Sequence, residues 1–206
     1  MTTGGIVLCG GRSSRMGRAK AWLPFGDELL LPRVVRVLCT VVHPVVVVAA
    51  PDQEVPELPA GIEVVRDAAV GHGPLRGLAA GLDALAGKVD AAYLSACDAP
   101  FLRAAFVKRV VDALDEPTPE SDRRWVAAVP RIDGFFHPLA AAFRLPVRAD
   151  VAALLDAGER RMSALFGVVP TRHLGPADFA AVDPSLQSLR NLNAPAEYEA
   201  ALRELG

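Results

Sequence analysis

Short apolar runs alternate with helical patterns along most of this 206-residue chain. Runs such as "PVVVVAA" and "AAYLSA" are too short for buried helices, and such continuous apolar character is typical of strands covered on both faces. Between the runs, apolar residues recur three and four positions apart, as they do on one side of an amphipathic helix. This alternation predicts a mostly parallel sheet with helices on both faces.

The expected fold is therefore an α/β fold of the Rossmann-like type, with three layers in the order α/β/α. The predicted strands span residues 6–9, 44–50, 62–65, 91–96, 125–130 and 137–143. The predicted helices span about 32–42, 74–87, 102–114, 147–157 and 195–205. Pro32 and Pro74 each begin a helix, because a proline at the first helical position loses no hydrogen bond.

Length and the absence of an internal repeat predict a single domain over residues 1–206. The stretch 115–124 is polar and contains proline, which makes it the best candidate for a linker or surface loop. It divides the chain into an N-terminal half of about 1–114 and a C-terminal half of about 125–206.

The overall charge and the cysteines exclude several classes of protein. A net charge of −2 argues against a general binder of nucleic acid or anionic membranes. Three cysteines without a CxxC pair support neither a disulfide framework nor a zinc site. The N-terminus lacks the features of a signal peptide, and its apolar run is too short to cross a bilayer. We therefore expect a cytoplasmic protein that binds neither nucleic acid nor membrane.

In an open α/β sheet, ligands bind beyond the carboxyl ends of the strands. The candidate ligand-binding loops are therefore 10–20, 66–77 and 97–100. The first of these follows Leu8 in "LCGGRSSRMGRAK", which has three glycines, four basic residues and no acid. It matches neither the dinucleotide fingerprint nor the Walker A loop. Glycine N–H groups and basic side chains nevertheless suit a polyphosphate, and the alternative is a solvated basic loop.

Asp98 follows the fourth predicted strand directly, in "SACDAPFL". As a helix N-cap it would stand one residue too early, because Pro100 fits the first helical position and makes Ala99 the cap. A simple Asp-x-Pro turn is the other structural alternative. The functional interpretation is a Mg²⁺ ligand, since Mg²⁺ takes one or two carboxylates together with phosphate oxygens.

Gly73, Gly77 and Gly81 stand four residues apart, on one face of the second predicted helix. Close packing of this helix on the sheet explains the spacing. Alternatively, a bare helix start lets a nucleotide base approach.

The stretch "LCGGRSSRMGRAKAWLPFG" resembles the signature of the MobA-like nucleotidyltransferases, L-x-G-G-x-S-x-R-M-G-x-x-K-x-L-L-P. In that family the loop wraps a nucleotide triphosphate, and its lysine and arginine stabilise charge as pyrophosphate leaves. The resemblance implies that the phosphates are held by Gly10, Gly11, Arg15 and Lys20, and that Leu8 and Cys9 line the base and ribose. It departs from the family at Cys9, where alanine is commoner, and at Trp22, where an aliphatic residue is usual.

Two further segments of the N-terminal half share the family pattern. The sequence C-D-x-P-F resembles the metal-binding segment of the family, which implies Mg²⁺ on Asp98 and a catalytic group of Arg15, Lys20 and Asp98. The sequence G-P-L-x-G with a preceding aspartate implies that Asp67, Leu75 and Gly77 recognise the base and ribose.

The C-terminal half resembles the same group in "GFFHPLAAAF", in the helix "LDAGERRMSALF" and in "LRNLNAPAEY". In these enzymes that half binds the pterin dithiolene cofactor. The implied pterin-side residues are His137, Arg160, Arg161, Asn191 and Asn193. The alternatives are a strand start for the histidine, a solvated helix face for the arginines and a turn for the asparagines.

The resemblance covers residues 6–198 and implies a nucleotidyltransferase fold with molybdenum cofactor guanylyltransferase activity. GTP would donate GMP to molybdopterin or Mo-molybdopterin, with molybdenum-insertion and molybdoenzyme maturation proteins as further partners. A cytidylyltransferase is the nearest alternative, but those enzymes more often read A-A-G where this chain has Cys9-Gly10-Gly11. A transferase acting on a sugar or polyol phosphate and a non-catalytic nucleotide-binding adaptor are the others.

Overall fold

The computed structural model describes residues 1–10, 19–67, 73–119 and 123–205, which form ten strands and five α-helices. The strands are β1 (Thr3–Leu8), β2 (Pro24–Phe25), β3 (Glu28–Leu29), β4 (Val45–Ala49), β5 (Glu63–Arg66), β6 (Ala91–Ala96), β7 (Ala127–Ile132), β8 (Phe135–Phe136), β9 (Ala142–Arg144) and β10 (Thr171–Leu174). The helices are α1 (Leu30–Cys39), α2 (Pro74–Leu85), α3 (Ala104–Asp112), α4 (Arg148–Asp156) and α5 (Pro195–Arg203).

The main sheet has the order β10-β7-β9-β6-β1-β4-β5, and β8 pairs with β7 at its side. Strand pairs β1–β4, β1–β6, β4–β5 and β7–β10 are parallel. Strand β9 runs antiparallel to both of its neighbours, β6 and β7. The predicted mostly parallel sheet is confirmed, with β9 antiparallel near its middle and β8 antiparallel to β7 at its side.

The sheet separates two apolar clusters, and alternate residues of each strand enter opposite clusters. In β1, Val7 lies with apolar residues of α1 and α3, whereas Ile6 and Leu8 lie with those of α2 and α4. The predicted α/β/α layering is therefore confirmed. Within the described residues, no helix is both long enough and apolar enough to span a membrane.

Helix α2 lies close to β1 because two of its glycines face that strand. A methyl group at Gly81 would lie 2.5 Å from Ile6 Cγ2, and one at Gly77 would lie 3.1 Å from Leu8 Cδ2. Both distances are shorter than ordinary van der Waals contacts. Close packing, one of the two interpretations of the glycine spacing, thus holds at these two positions.

Replacing Gly81 by alanine is expected to lower the free energy of unfolding by about 1–3 kcal/mol, because the added methyl group overlaps Ile6 in a packed core. Urea denaturation of both proteins measures the effect. Gly167→Ala is the matched control, since a methyl group there meets nothing within 4 Å. If both substitutions lowered the free energy of unfolding by the same amount, α2 would be able to move away from the sheet without loss of stability.

Helix α3 begins later than predicted, at Ala104 with Arg103 as its N-cap. The segment before it forms a turn in which Leu102 N donates to the Ala99 carbonyl at 3.2 Å. The expectation of Ala99 as cap and Pro100 as first helical residue was therefore wrong. Asp98 still does not cap this helix, because it lies well before the first turn.

The predicted strand over 137–143 was also wrong in its first half. Pro138–Ala140 forms a 3-10 turn, and only the residues from Ala142 onward pair in the sheet as β9. Ala140 N donates to the His137 carbonyl at 3.0 Å, which closes this turn. Pro138 has no N–H to offer a neighbouring strand, so a turn costs less here than a continued strand.

Other differences concern short or exposed elements. Strands β2, β3 and β8 have two residues each, too few to show a hydrophobic period, and the four-residue β10 was also missed. Strand β5 lies at the sheet edge and is only half-buried rather than fully buried. The candidate linker 115–124 includes residues 120–122, which lie outside the described residues.

Candidate active site

The carboxyl ends of β1 and β6 form the point where the strand order of the sheet reverses. After β1 the chain adds β4 and β5 on one side, and it returns as β6 on the other side. Leu8 pairs with Ala96 at the last position of both strands, so Gly10 and Asp98 leave the sheet from neighbouring positions. Ligands of open α/β sheets bind at such a reversal.

Asp98 is almost buried at this point, with 6% of its surface exposed. Its Oδ2 accepts a hydrogen bond from Lys20 Nζ at 2.5 Å, in an ion pair whose side chains are 19% and 9% exposed. No described residue donates a hydrogen bond to the buried Oδ1 of Asp98. A carboxylate with one oxygen paired and one unpaired can still accept a further hydrogen bond or ligate a cation.

Lys20 also connects the two halves of the chain. It begins a short 3-10 helix, Lys20–Trp22, whose turn is closed by Leu23 N donating to the Lys20 carbonyl at 3.1 Å. From there Lys20 Nζ donates a second hydrogen bond, to Asn193 Oδ1 at 3.1 Å. The structure thus brings three of the predicted site residues, Lys20, Asp98 and Asn193, into direct contact.

The start of α5 holds Asn193 in this position. Glu197 Oε2 accepts hydrogen bonds from Asn193 N at 2.6 Å and Ala194 N at 3.1 Å, which satisfies two N–H groups at the helix start. Leu192 N donates to the Asp98 carbonyl at 3.0 Å, and the Leu192 side chain is fully buried. The chain before α5 is therefore fixed directly to the Asp98 loop.

A third apolar cluster includes Leu192 and Leu23, which lie next to Asn193 and to the Lys20–Trp22 turn. Leu192 packs there with residues of the β2–β3 hairpin and its surroundings, namely Leu23, Phe25, Leu30 and Ala201. The Tyr198 hydroxyl on α5 donates to the Pro24 carbonyl of β2 at 2.5 Å. The hairpin and α5, which the sequence did not connect, together position Lys20 and Asn193.

Gln53, in the loop after β4, makes hydrogen bonds to the end of β1 on the side away from β6. Its Nε2 donates to the Cys9 carbonyl at 3.0 Å and to Cys9 Sγ at 3.1 Å, while its Oε1 accepts from Ala50 N at 3.2 Å. Sequence reasoning missed this residue. The same rule that selected the other loops would have selected it, because it too follows the carboxyl end of a predicted strand.

Cys9 and Cys97 lie side by side, because they directly follow the paired parallel strands β1 and β6. A hydrogen bond from the Cys97 thiol lowers the pKa of Cys9, burial opposes this effect, and the Gln53 amide adds to it. The same thiol–thiol hydrogen bond, together with burial, raises the pKa of Cys97.

The predicted base-side residues lie at the ends of β1, β5 and α2. Asp67 N donates to the Ala49 carbonyl at 2.9 Å, and its Oδ1 lies 3.8 Å from Arg76 Nε. Leu75 is fully buried and Leu8 is 9% exposed, so their side chains belong to the core. These two leucines can therefore contact a ligand through their backbone groups.

Arg160 and Arg161 are exposed, in the loop that follows α4. The predicted helical position of this G-E-R-R segment was wrong, because α4 ends at Asp156 and Gly158 takes a left-handed φ of 80°. Glu159 Oε1 accepts from the N–H groups of both arginines, at 2.8 and 2.9 Å. Its bonds to the side chain of Arg161 and to both backbone N–H groups hold the pKa of Glu159 at about 2.

This arginine loop reaches the start of α2. A methyl group at Gly73, the N-cap of α2, would lie 2.9 Å from the Arg160 carbonyl oxygen. Gly73 also has a left-handed φ of 80°, so two separate features favour glycine there. The segment with the predicted pterin-side arginines and the segment with the predicted base-side residues are thus in contact.

His137 follows the β7–β8 hairpin and is partly buried, and this burial lowers its pKa. Its N–H donates to the Pro130 carbonyl of β7 at 2.9 Å, so its backbone position is fixed by the sheet. Asn191 lies two residues before Asn193, in the chain that leads into α5. Gly11 and Arg15, together with Arg12 of the same loop, fall within 11–18 and lie outside the described residues.

Comparisons with known proteins agree with the resemblance found in the sequence. The family described as the MobA-like NTP transferase domain matches residues 5–173. A probable molybdenum cofactor guanylyltransferase of Mycobacterium tuberculosis (strain ATCC 25618 / H37Rv) is 36% identical over 194 residues, covering 93% of this chain and 92% of that protein. The protein of the same name from Mycobacterium avium (strain 104) is 35% identical over 204 residues, with 97% and 95% covered.

A solved structure supports the fold independently. Molybdopterin-guanine dinucleotide biosynthesis protein A from Archaeoglobus fulgidus superposes with a TM-score of 0.79 at 18% identity, covering 98% of both chains. The family match and the two mycobacterial relatives span most of this chain. The chain therefore belongs to the MobA-like NTP transferase family of nucleotidyltransferases.

Proposed function

We propose that this protein transfers the GMP group of GTP to the terminal phosphate of molybdopterin, with or without molybdenum, and releases pyrophosphate. The observation that carries the proposal is the position of Lys20, whose ammonium group contacts Asp98 and Asn193 where the strand order reverses. The relatives at 35–36% identity, named probable molybdenum cofactor guanylyltransferases, support the choice of reaction.

Asp98 fits a role as ligand to Mg²⁺. The side chain is nearly buried, and its Oδ1 has no hydrogen-bond partner among the described residues. A buried carboxylate oxygen normally has a partner, and a hard cation next to bound phosphates would supply one. When bound, Mg²⁺ supplies positive charge that offsets the charge of the phosphate oxygens.

Lys20 would stabilise the pyrophosphate group as it leaves. An ammonium group has three N–H donors, and among the described residues only Asp98 and Asn193 accept from it, so a third N–H can donate to a phosphate oxygen. We assign Arg15 to the same charge stabilisation, and Gly10 and Gly11 to backbone contacts with the phosphates. Transfer of this kind depends mainly on positioning and electrostatic stabilisation, so no covalent intermediate is needed.

We assign base and ribose recognition to the N-terminal half, through Asp67, Leu75, Gly77, Leu8 and Cys9. We assign the pterin substrate to the C-terminal half, through His137, Arg160, Arg161, Asn191 and Asn193. Two contacts support a site shared by the halves of one domain. They are the Lys20–Asn193 hydrogen bond and the approach of the Arg160 carbonyl to Gly73.

We also infer a cytoplasmic location, in contact with the proteins that insert molybdenum and mature molybdoenzymes. The three cysteines are all free, which suits a reducing compartment.

Titration calorimetry in Mg²⁺ with GTP, CTP and ATP tests the base preference. We expect GTP to bind at least about tenfold more tightly than CTP, a difference of about 1.4 kcal/mol. Pyrophosphate release from GTP in the presence of molybdopterin then tests the transfer itself. Preference for CTP would make the protein a cytidylyltransferase, and absence of nucleotide binding would favour the adaptor.

A further inference from the structure

Cys9 and Cys97 are the first residues beyond two paired parallel strands. Because Leu8 pairs with Ala96 and Cys97 N donates to the Leu8 carbonyl at 3.1 Å, the two cysteines stand opposite each other. Opposed residues on neighbouring strands have Cα atoms about 4.8 Å apart, which lies within the range found for disulfides. Both side chains belong to the same apolar cluster, so both thiols lie on one face of the sheet.

The two thiols lie within interaction distance of each other. Gln53 Nε2, in the loop after β4, lies 3.1 Å from Cys9 Sγ and donates a hydrogen bond to that sulfur. Cys9 is 6% exposed and Cys97 5% exposed, and Gly10, the residue after Cys9, is exposed.

We propose that Cys9 and Cys97 form a redox modification site, at which a peroxide produces a reversible intramolecular disulfide at the nucleotide-binding edge of the sheet. This assignment gives a role to both cysteines at this edge, including Cys9, one of the two residues that depart from the family signature. Disulfides of reducing compartments are usually transient and serve catalysis or redox sensing.

The reaction proceeds in two balanced steps. Cys9 Sγ attacks one oxygen of hydrogen peroxide, the O–O bond breaks, and the leaving hydroxide takes the thiol proton to form water. The product at Cys9 is a sulfenic acid. Cys97 Sγ then attacks Cys9 Sγ, the S–O bond breaks, and the second hydroxide leaves as water with the Cys97 proton. Two thiols are oxidised by two electrons, and one peroxide is reduced to two waters.

The disulfide would act on nucleotide binding through the backbone. A disulfide would hold the two strand ends at a fixed distance, through a sulfur–sulfur bond of about 2.05 Å and Cβ atoms about 3.8 Å apart. Cys9 precedes Gly10 and Cys97 precedes Asp98, the residue paired with Lys20. This part of the inference rests on the proposed function, and we expect oxidation to weaken GTP binding at least about tenfold.

Intact mass spectrometry and peptide mapping of the whole protein after treatment with hydrogen peroxide test the modification directly. We expect a product lighter by two hydrogen atoms, with the Cys9 and Cys97 peptides joined, that dithiothreitol returns to the starting mass. Cys39→Ser removes the exposed third cysteine and should leave the product unchanged. Cys9→Ala and Cys97→Ala should each abolish it, and circular dichroism establishes that these variants are folded.

Calorimetry with GTP on the oxidised, reduced and re-reduced protein tests the consequence. Joined peptides together with weaker GTP binding that dithiothreitol restores would support the proposal. Oxidation of either cysteine to sulfinic acid without joined peptides, or a disulfide that includes Cys39, would overturn it. Joined peptides in a protein that binds no GTP even when reduced would support the modification site and overturn the proposed function instead.

Discussion

Asp98→Asn is expected to lower turnover about a thousandfold, equivalent to about 4 kcal/mol in the activation free energy, while the protein stays folded. The substitution keeps the size of the side chain but removes its negative charge. Lys20 Nζ loses an ion pair of 2.5 Å, and the buried Oδ1, which accepts from no described residue, loses the charge that suits a cation. The amide can still accept a hydrogen bond from Lys20, so the fold should tolerate the change.

Steady-state pyrophosphate release measures the turnover, and thermal denaturation with GTP, with and without Mg²⁺, provides a second measurement. We expect the stabilisation by Mg²⁺ and GTP together to be lost in Asp98→Asn. Asp112→Asn is the matched control, because Asp112 forms a comparable 2.6 Å pair with Lys108 on the exposed surface of α3. Turnover within a few-fold of the wild type in Asp98→Asn would remove Asp98 from the catalytic group.

Lys20→Met is expected to lower turnover about a hundredfold to a thousandfold, because it removes one preorganised cationic donor from the leaving group. It also costs stability, unlike Asp98→Asn. Asp98 is 6% exposed, and the substitution leaves its charge without the Lys20 partner. We expect the free energy of unfolding to fall by about 1–3 kcal/mol. This loss is smaller than the loss on breaking a fully buried ion pair, because the Lys20 side chain is 19% exposed.

A split of the kinetic constants separates charge stabilisation from simple binding. Loss of charge stabilisation lowers kcat and kcat/KM together, whereas loss of uniform binding raises KM alone. Lys108→Met is the control, since its exposed pair on α3 contributes at most a few tenths of a kcal/mol. A Lys20→Met enzyme that changes only in KM would limit Lys20 to substrate binding.

Local patterns in the sequence determined the class of fold. Strands β1, β4 and β6 were predicted within a few residues, because apolar runs flanked by glycine, proline and aspartate depend only on near neighbours. The start of α3 and the turn at 138–140 were not, since backbone hydrogen bonds outside the helices and strands decide both. Strand β9 runs antiparallel in a mostly parallel sheet, and no local pattern indicates strand direction.

The residues of the candidate site were named from the sequence, but their contacts were not. Lys20 is 78 residues from Asp98 and 173 from Asn193, and the structure joins all three at one ammonium group. Gln53 escaped notice although it follows a predicted strand, because its role depends on reaching across to Cys9.

The sequence by itself determined the position of the main buried strands and of the helices to within a few residues, and which loops carry glycine, charge and a carboxylate. Periodicity and loop chemistry are properties of residues that are close in sequence. They can therefore be recognised without knowledge of the tertiary structure. Only the tertiary structure decided that β1 lies beside β6, which places Cys9 opposite Cys97 and Lys20 against Asp98. Strand order and register depend on the packing of the whole core, so distant residues meet only after that packing is settled.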